Sequence, residues 1–302
     1  MLGTDAVDSR LLGGKGASLD RLARLGFTVP PGFCLTTAAF NAHIASIADQ
    51  AALEGATAAL PTESARATVV ALVEGSPLAP NVQQALSDAV DRLIETAPTP
   101  LRVAVRSSAI DEDGAVASFA GLHGTELGVV PGDIEGAVRR CWASLWSPQA
   151  VAYRLRRQAS LQDIVMAVVV QALVPADAAA VVFTRHPVTG RDDQVLINAI
   201  PGLGEPMVAG TVTPDTIIVD KASRTVVDFK PGTAGEILVA LGAGVVRQSN
   251  PPGTPALDDL ALKELVTLAC AVERRFGANV DLEAARSGGR WYLLQARPIT
   301  TR

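Results

Sequence analysis

Cysteine is scarce in this sequence, and its spacing excludes two kinds of site. The 302 residues include only Cys34, Cys141 and Cys270, no two of which form a CxxC pair. An odd number of cysteines so widely separated predicts neither a complete disulfide framework nor a zinc site. We therefore expect a reducing compartment, which makes the protein cytoplasmic.

Long apolar runs and basic blocks are scarce as well. The longest apolar stretches, such as residues 164–174, fall short of the roughly 20 residues that a bilayer span needs. The first residues include acids and no apolar core, so they do not resemble a signal peptide. Lys and Arg number 26 against 31 Asp and Glu, a formal net charge of -5. We expect neither a membrane nor nucleic acid as a partner.

Aromatic residues are few, at 4%, but hydrophobic residues make up 48% of the chain. That content excludes a disordered chain, and the length favours two domains at roughly 100–200 residues each. The first half mixes helix and strand patterns, whereas the second half is rich in short β segments. We predict an α+β or α/β fold with two subdomains, residues 1–171 and 172–302.

Lys15 follows two glycines at the start of a short amphipathic helix pattern, residues 13–26. Glycines allow a close backbone approach, and the N-terminus of a helix favours an anion. The spacing is not that of a P-loop. Taken alone, Lys15 is better explained as a solvated lysine in a flexible turn.

Arg106 lies near the end of a predicted strand, residues 101–109, beside two serines. A loop at residues 118–125 follows, with Gly121 and Thr125. Backbone N–H groups and hydroxyls of such a loop bind phosphate oxygens, and a guanidinium adds bidentate contacts. The alternative is a polar strand end followed by a solvated loop.

Two polar pairs lie on the last two predicted strands. Asp281 and Glu283 share one face of the first strand, because strand side chains alternate. Gln295 and Arg297 share one face of the second. Carboxylates with an amide oxygen suit Mg²⁺, and an arginine beside them balances phosphate charge. The alternative is an ordinary carboxylate–arginine pair, which leaves Gln295 unexplained.

The two pairs meet only if the turn between the strands sets an odd register. A two-residue loop would oppose Glu283 to Leu294 and separate the pairs. A three-residue loop, residues 287–289, opposes Asp281 to Gln295 and unites them. We predict that register, or a bulge with the same effect.

The second strand would then pack its other face against the core. That packing face is expected to hold Tyr292, Leu294 and Ala296. A structure with Glu283 and Gln295 on opposite faces would remove the site.

Other polar residues give weaker signals. Glu205, in the turn "PGLGE", is either a second acid near the site or a solvated side chain. Of the three separated histidines, His43 is expected on a helix surface. Trp142 and Trp146, four residues apart, are expected in the core.

Six segments, in this order, together resemble one family far more specifically than any does alone. They are GGKGASLDRLARLGFTVPPGF, VAVRSSAIDED with ASFAG, CWASLWSPQAVAYR, VVFTRHPVTG, GLGEPMVAGTVTPD, and DLEAA with WYLLQARPIT. They resemble the nucleotide-binding domain of the phosphoenolpyruvate synthase and pyruvate phosphate dikinase family, which rifampicin phosphotransferases share. The resemblance implies an ATP-grasp-like fold, with ATP and Mg²⁺ bound between the two subdomains.

The resemblance also implies roles for single residues. Lys15, Arg106 and Arg297 would hold phosphates as the catalytic cations, and Gly121 and Thr125 would belong to a phosphate-covering loop. The remaining roles are adenine contacts at the hinge for Gln171 and Leu173, nucleotide binding for Glu205, and metal binding for Asp281, Glu283 and Gln295. The sequence departs from the family at "LHGT", residues 122–125, and at Asn198 and Pro201. These departures leave the contacts of His123 and Glu205 open.

The activity implied is the phosphorylation of a histidine on a separate swivelling domain, which passes the phosphoryl group to an acceptor held on a third domain. In the synthase and phosphotransferase branches the other products are AMP and phosphate, whereas in the dikinase branch inorganic phosphate takes the γ-phosphoryl group. None of the three histidines has the family's phosphohistidine context, so we expect that domain on another chain or outside this sequence. The alternatives are a non-catalytic nucleotide-binding regulatory module and, with less support, a self-contained ligase.

Overall fold

The computed structural model describes residues 1–4, 8–97, 99–110, 124–161, 164–233, 235–242, 244–250 and 253–299. The chain divides into two compact units. The first comprises Met1–Ala17 and Pro31–Leu173, and the second comprises Ser18–Pro30 and Val174–Arg302. Residues 18–30 belong to the second unit because they bond to its last strand. The expected division at residues 171 and 172 placed them in the first.

The first unit packs helices against one antiparallel sheet. Its helices are α1 (Ser9–Arg24, shared with the second unit), α2 (Thr37–Ser46), α3 (Gln50–Ala58), α4 (Glu63–Gly75), α5 (Pro80–Thr96), α6 (Ile134–Ala143) and α7 (Pro148–Arg156). Its strands are β1 (Gly32–Leu35), β2 (Val103–Ala109), β3 (Thr125–Val129) and β4 (Met166–Ala172), in the order β1-β4-β2-β3. The strand predicted at residues 101–109 corresponds to β2, whereas β1 and β3 were not predicted as strands.

The core of the first unit lies on one face of this sheet. Val103 and Val105 of β2 and Val168 and Val170 of β4 are fully buried there with the helices. Since strand side chains alternate, the intervening residues point to the opposite face. That second face is the one that carries the candidate site residues of this unit.

His43 corrects one expectation. It was expected on a helix surface, but its side chain is fully buried. Its ring stacks on Trp142 with centroids 5.1 Å apart, and Nε2 lies 2.9 Å from the carbonyl oxygen of Val73. Trp142 and Trp146 lie in the core as predicted.

The second unit is built on a six-stranded antiparallel sheet. Its strands run in the order β12 (Arg290–Pro298), β11 (Val280–Ser287), β5 (Ala178–Phe183), β6 (Gln194–Pro201), β7 (Asp215–Asp220) and β8 (Val226–Lys230). It also contains the short helix α8 (Glu205–Val208), the hairpin β9–β10 (Glu236–Leu241, Gly244–Ser249) and helix α9 (Asp259–Phe276). Both units mix helix and sheet, which confirms the predicted class.

Helix α9 covers one face of this sheet. Asp258 caps its start by accepting a hydrogen bond from the Ala261 N–H, and Gly277 ends it in the left-handed conformation with φ 68°, as a C-terminal glycine does. Its buried residues pack on the same side as Leu282 and Leu293. The other face of the sheet is left to the polar residues of β11 and β12. Within the described ranges, the helices are all too short or too polar to cross a bilayer.

Candidate active site

The last hairpin of the chain has a two-residue turn and a β-bulge. Ser287 pairs with Arg290 across Gly288 and Gly289, both of which have positive φ. The three-residue loop that we expected is therefore wrong. A register shift between Glu283 and Ala284 makes Leu294 the extra residue of β12 and sets Glu283 opposite Gln295 and Asp281 opposite Arg297. The bulge alternative is confirmed, because it brings all four polar residues to one face.

We call this face of the six-stranded sheet, defined by Asp281, Glu283, Gln295 and Arg297, the acidic face. The packing face of β12 differs from the prediction, because the bulge changes the alternation. Trp291, Leu293 and Ala296 are the buried residues. Ala296 was predicted there correctly. Tyr292 instead pairs with Ala285 on the acidic face, and Leu294 is the bulge residue.

Asp281 and Arg297 form an ion pair across the two strands. Arg297 Nε donates to Asp281 Oδ2 at 2.8 Å, and the Asp281 side chain is 15% exposed. Burial raises the pKa of Asp281, against the opposing effect of the Arg297 guanidinium, and the neighbouring Glu283 carboxyl adds to the rise. Placing a cation on this face would favour the ionised carboxylate.

Gln295 has a buried acceptor whose surroundings are unusual for a strand residue. Its Oε1 is buried and, among the described residues, has no hydrogen-bond partner. A buried acceptor left unsatisfied costs free energy. The described residues contain no cluster of three or more His, Cys, Asp or Glu side chains suited to a metal. The acidic face instead offers two carboxylates and this amide oxygen, a donor set that fits Mg²⁺.

The acidic face extends further across the sheet than the sequence reasoning recognised. Glu283 pairs with Val181 on β5, Val181 with Asn198 on β6, and Asn198 with Thr216 on β7. The Thr216 hydroxyl donates to Asn198 Oδ1 at 3.1 Å. The signal was available, because Asn198 interrupts an apolar strand just as Gln295 does.

Glu205 lies next to the loop that approaches this face. A β-carbon on Gly204 would lie 3.1 Å from that of Ala179. Ala179 pairs with Ala285, two residues from Glu283. The Glu205 side chain itself is exposed at the start of α8.

In the first unit, three predicted residues share one sheet face. Arg106 pairs with Thr125 on β3 and with Val169 on β4. Gln171 lies two residues beyond Val169, so it points the same way. We call this face of the four-stranded sheet, defined by Arg106, Thr125 and Gln171, the basic face. Gln171 is buried and Thr125 is exposed.

Ser108 bonds the segment of α1 around Lys15 to the basic face. Its hydroxyl donates to the Leu12 carbonyl at 2.7 Å and accepts from the Gly16 N–H at 3.0 Å. Gly13 has φ +64°, and a β-carbon there would lie 2.0 Å from the Ser108 carbonyl oxygen. Because Ser108 and Arg106 are two residues apart on β2, the segment of α1 that carries Lys15, just after the kink at Gly13, docks on the face of Arg106.

Two other predicted residues add less. The Leu173 N–H already donates to the Arg102 carbonyl at 2.8 Å, so an adenine contact would have to use its carbonyl or its side chain. Gly121, with residues 111–123, lies outside the described residues, as does His123.

Comparison with known proteins identifies the class. A family model described as "Pyruvate phosphate dikinase, AMP/ATP-binding domain" matches residues 9–302. Because this match covers nearly all of the chain, the protein belongs to that family. The membership confirms the family resemblance seen in the sequence.

Individual relatives are similar along the whole chain. The probable phosphoenolpyruvate synthase of Archaeoglobus fulgidus is 34% identical over 98% of this chain and 41% of its own length. Prodigiosin synthesizing transferase PigC of Serratia marcescens is 37% identical over 99% of this chain and 32% of its own. A rifampicin phosphotransferase of a Streptomyces species is 36% identical over 98% of this chain and 35% of its own length. The chain thus spans about two-fifths of these relatives or less, so the relatives contain further domains.

Two solved structures are distantly similar. An ADP complex of N5-carboxyaminoimidazole ribonucleotide synthetase gives a TM-score of 0.40 at 9% identity, over 96% of this chain and 45% of that one. D-alanine-D-alanine ligase of Helicobacter pylori gives a TM-score of 0.36 at 8% sequence identity, over 95% of this chain and 54% of that one. Such TM-scores are too low to support an argument.

Proposed function

We propose that this protein binds Mg-ATP and phosphorylates a histidine on a separate swivelling domain, which then passes the phosphoryl group to a small-molecule acceptor. The observation that carries the proposal is the acidic face. There Glu283 and Gln295 are direct cross-strand partners, and Gln295 Oε1 is buried with no hydrogen-bond partner in the described part of the chain. We place the protein in the cytoplasm, because three widely separated cysteines with no CxxC pair favour a reducing compartment.

In this proposal, Asp281, Glu283 and Gln295 hold Mg²⁺. When bound, the ion neutralises negative charge on the phosphates of ATP. Asp281 also orients Arg297 through the 2.8 Å hydrogen bond to Nε. The guanidinium is thereby directed along the acidic face, where it can contact phosphate oxygens.

The basic face supplies the remaining positive charge. Arg106 and Lys15 bind phosphate oxygens, and Thr125 closes over them from the neighbouring strand. Gln171 and Leu173 contact the base, and Glu205 takes part in nucleotide binding. These side chains position the reacting groups and offset charge, and none of them forms a covalent intermediate.

The reaction proposed is that of the synthase and phosphotransferase branch. ATP, water and the acceptor give AMP, inorganic phosphate and the phosphorylated acceptor. The β-phosphoryl group travels through the histidine, and the γ-phosphoryl group leaves as phosphate. We place the histidine and the acceptor on other domains, and the greater length of the relatives supports this, since the chain spans 41% and 35% of two of them.

Labelled ATP tests the proposal. The protein is mixed with Mg²⁺, ATP labelled in either the β or the γ phosphate, and the histidine-bearing domain of a phosphoenolpyruvate synthase relative. We expect AMP, β-label on the histidine domain and γ-label in inorganic phosphate, all abolished by EDTA. Formation of ADP would contradict the reaction proposed.

The regulatory-module alternative predicts a different result in the same assay. Mg-ATP would bind tightly, as measured by calorimetry, but no label would reach the histidine domain. A missing binding signal would contradict both functions.

A further inference from the structure

The bulge in the last hairpin is what creates the acidic face. The turn at Gly288 and Gly289 pairs Ala284 with Leu293. If that pairing continued without a bulge, Glu283 would oppose Leu294, and Gln295 and Arg297 would point into the core. A one-residue shift moves every side chain to the other face of a sheet. Something must therefore hold the bulge in place.

The segment before Pro31 contacts β12 on both sides of the bulge. β12 is the edge strand of its sheet, so its outer N–H and C=O groups have no neighbouring strand. On one side of Leu294, the Leu293 N–H donates to the Thr28 carbonyl at 2.9 Å. On the other side, the Ala296 N–H donates to the Ser18 hydroxyl oxygen at 2.9 Å.

Ser18 makes a second bond to the same residue. Its hydroxyl donates to the Ala296 carbonyl oxygen in a short hydrogen bond. One side chain thus supplies both the acceptor and the donor that a neighbouring strand would have supplied. Ala296 lies between Gln295 and Arg297, so Ser18 fixes the backbone from which both of those side chains project.

From these contacts we infer that Ser18 is a positioning residue for the metal and phosphate groups of β12. It does not touch the acidic face itself. It holds the strand in the bulged register that turns Gln295 and Arg297 to the side of Asp281 and Glu283. The inference rests on the proposed function, since it concerns how the Mg-ATP ligands are held.

A positioning role differs measurably from a general contribution to folding. Removing a group that orients metal ligands typically lowers metal affinity about 10- to 100-fold. A purely structural contact would lower the melting temperature without changing the ratio of nucleotide affinities with and without Mg²⁺. That ratio is therefore the quantity to measure.

The experiment compares the full chain with Ser18→Ala, Ser18→Thr and Ser287→Ala. Ser287 is the matched control, because its hydroxyl also donates to a backbone carbonyl, that of Pro175 at 2.9 Å, from the same hairpin. A non-hydrolysable ATP analogue is titrated calorimetrically in Mg²⁺ and in EDTA, and the melting temperature of each variant is recorded. Hydrogen exchange at the Ala296 amide reports the bond directly.

We expect Ser18→Ala to reduce the Mg²⁺-dependent part of the affinity about 10-fold or more and to speed exchange at Ala296. Ser18→Thr keeps the hydroxyl and should restore both, and Ser287→Ala should change neither. If Ser18→Ala does not fold, Ser18→Cys takes its place, because a thiol is similar in size and bonds weakly.

Two failures are distinguishable. If the unmodified chain shows no Mg²⁺-dependent nucleotide binding, the proposed function fails and the inference falls with it. If the unmodified chain binds, but Ser18→Ala and Ser287→Ala retain the same affinity ratio, the positioning role of Ser18 is overturned and the proposed function stands.

Discussion

The candidate residues on the two sheets differ in charge. The basic face holds Arg106, Thr125 and Gln171, and Lys15 lies in the segment of α1 docked beside it. The charged residues of this set are both positive. The acidic face pairs two carboxylates with one arginine and one amide. Cations bind phosphate oxygens directly, whereas carboxylates need a metal ion between them and a phosphate. We therefore propose that the basic face binds phosphate directly and that the acidic face binds the metal ion.

Both faces depend on a serine hydroxyl that bonds to backbone groups. Ser108 links the Leu12 carbonyl and the Gly16 N–H, and Ser18 links both polar groups of Ala296. In each case the hydroxyl holds the segment that carries a predicted ligand residue. The two faces thus differ in charge, but in both a serine hydroxyl fixes the backbone near the candidate ligand residues.

The largest effect is expected from Glu283→Ala. A catalytic metal ion contributes several kcal/mol, so phosphoryl transfer should fall at least about 100-fold, and nucleotide binding should lose its Mg²⁺ dependence. Transfer to the histidine domain and calorimetry with and without EDTA measure these changes. The control is Glu264→Gln, an exposed acid on α9 of the same unit. Full activity in Glu283→Ala would remove metal binding from the acidic face.

Arg106→Ala tests the basic face, where we expect phosphate to bind without a metal ion. Losing a charge-assisted contact worth about 1.5–3 kcal/mol lowers nucleotide affinity roughly 10- to 100-fold. The loss should be similar in Mg²⁺ and in EDTA, because the proposed partner of Arg106 is a phosphate oxygen and not the metal. Arg106→Lys should recover only part of it.

Arg156→Ala serves as the matched control, since Arg156 is exposed in the same unit. A change in the Mg²⁺ dependence of Arg106→Ala would break the proposed division between the faces.

The sequence alone predicted which side chains share a strand face, but not every pairing between strands. Alternation correctly grouped Asp281 with Glu283 and Gln295 with Arg297. The placement of Tyr292 and Leu294 could not be read from alternation, because a bulge interrupts it. The bulge is bonded to residues more than 260 positions earlier in the chain, and no local pattern reveals such contacts.

The same reason explains the strands and the histidine that were missed. β1 and β3 are short, and each is defined by pairing with a strand far away in sequence. His43 lies on α2, and its burial depends on Trp142 and Val73 from other helices. Local sequence therefore predicts the burial of His43 and the pairing of β1 and β3 poorly. It predicts helix ends such as Asp258 and Gly277 better, because the capping residue is adjacent to the helix in sequence.

Gly13→Ala tests how the segment of α1 that carries Lys15 packs against Ser108 of β2. Positive φ strains an alanine, and its β-carbon would meet the Ser108 carbonyl oxygen at 2.0 Å. We expect a loss of at least about 1–3 kcal/mol in the free energy of unfolding, measured by urea denaturation. Gly26→Ala is the control, because it has φ +81° but open space around the β-carbon. Equal losses in the two variants would mean that backbone strain alone, without the clash, sets the cost.

The smallest effect is expected from the buried His43. Burial lowers the pKa of His43 below its ordinary value of about 6.5, with smaller effects from the Val73 carbonyl and from the charges of Arg139 and Glu135. Since the folded state holds the neutral ring, the unfolded chain binds the extra proton as pH falls below about 6.5. The contribution is therefore present above that pH and is lost as pH falls, at most about 1.4 kcal/mol per pH unit.

His43→Phe should flatten this pH dependence between pH 7 and pH 5. Urea denaturation followed by tryptophan fluorescence measures it, because the His43 ring stacks on Trp142 in the first unit. His186→Phe is the control, since that ring lies partly exposed in the second unit and its Nδ1 accepts from the Val188 and Thr189 N–H groups. If the acid sensitivity of the first unit persists in His43→Phe, the neutral buried ring is not its source, and the difference between the two units must arise elsewhere.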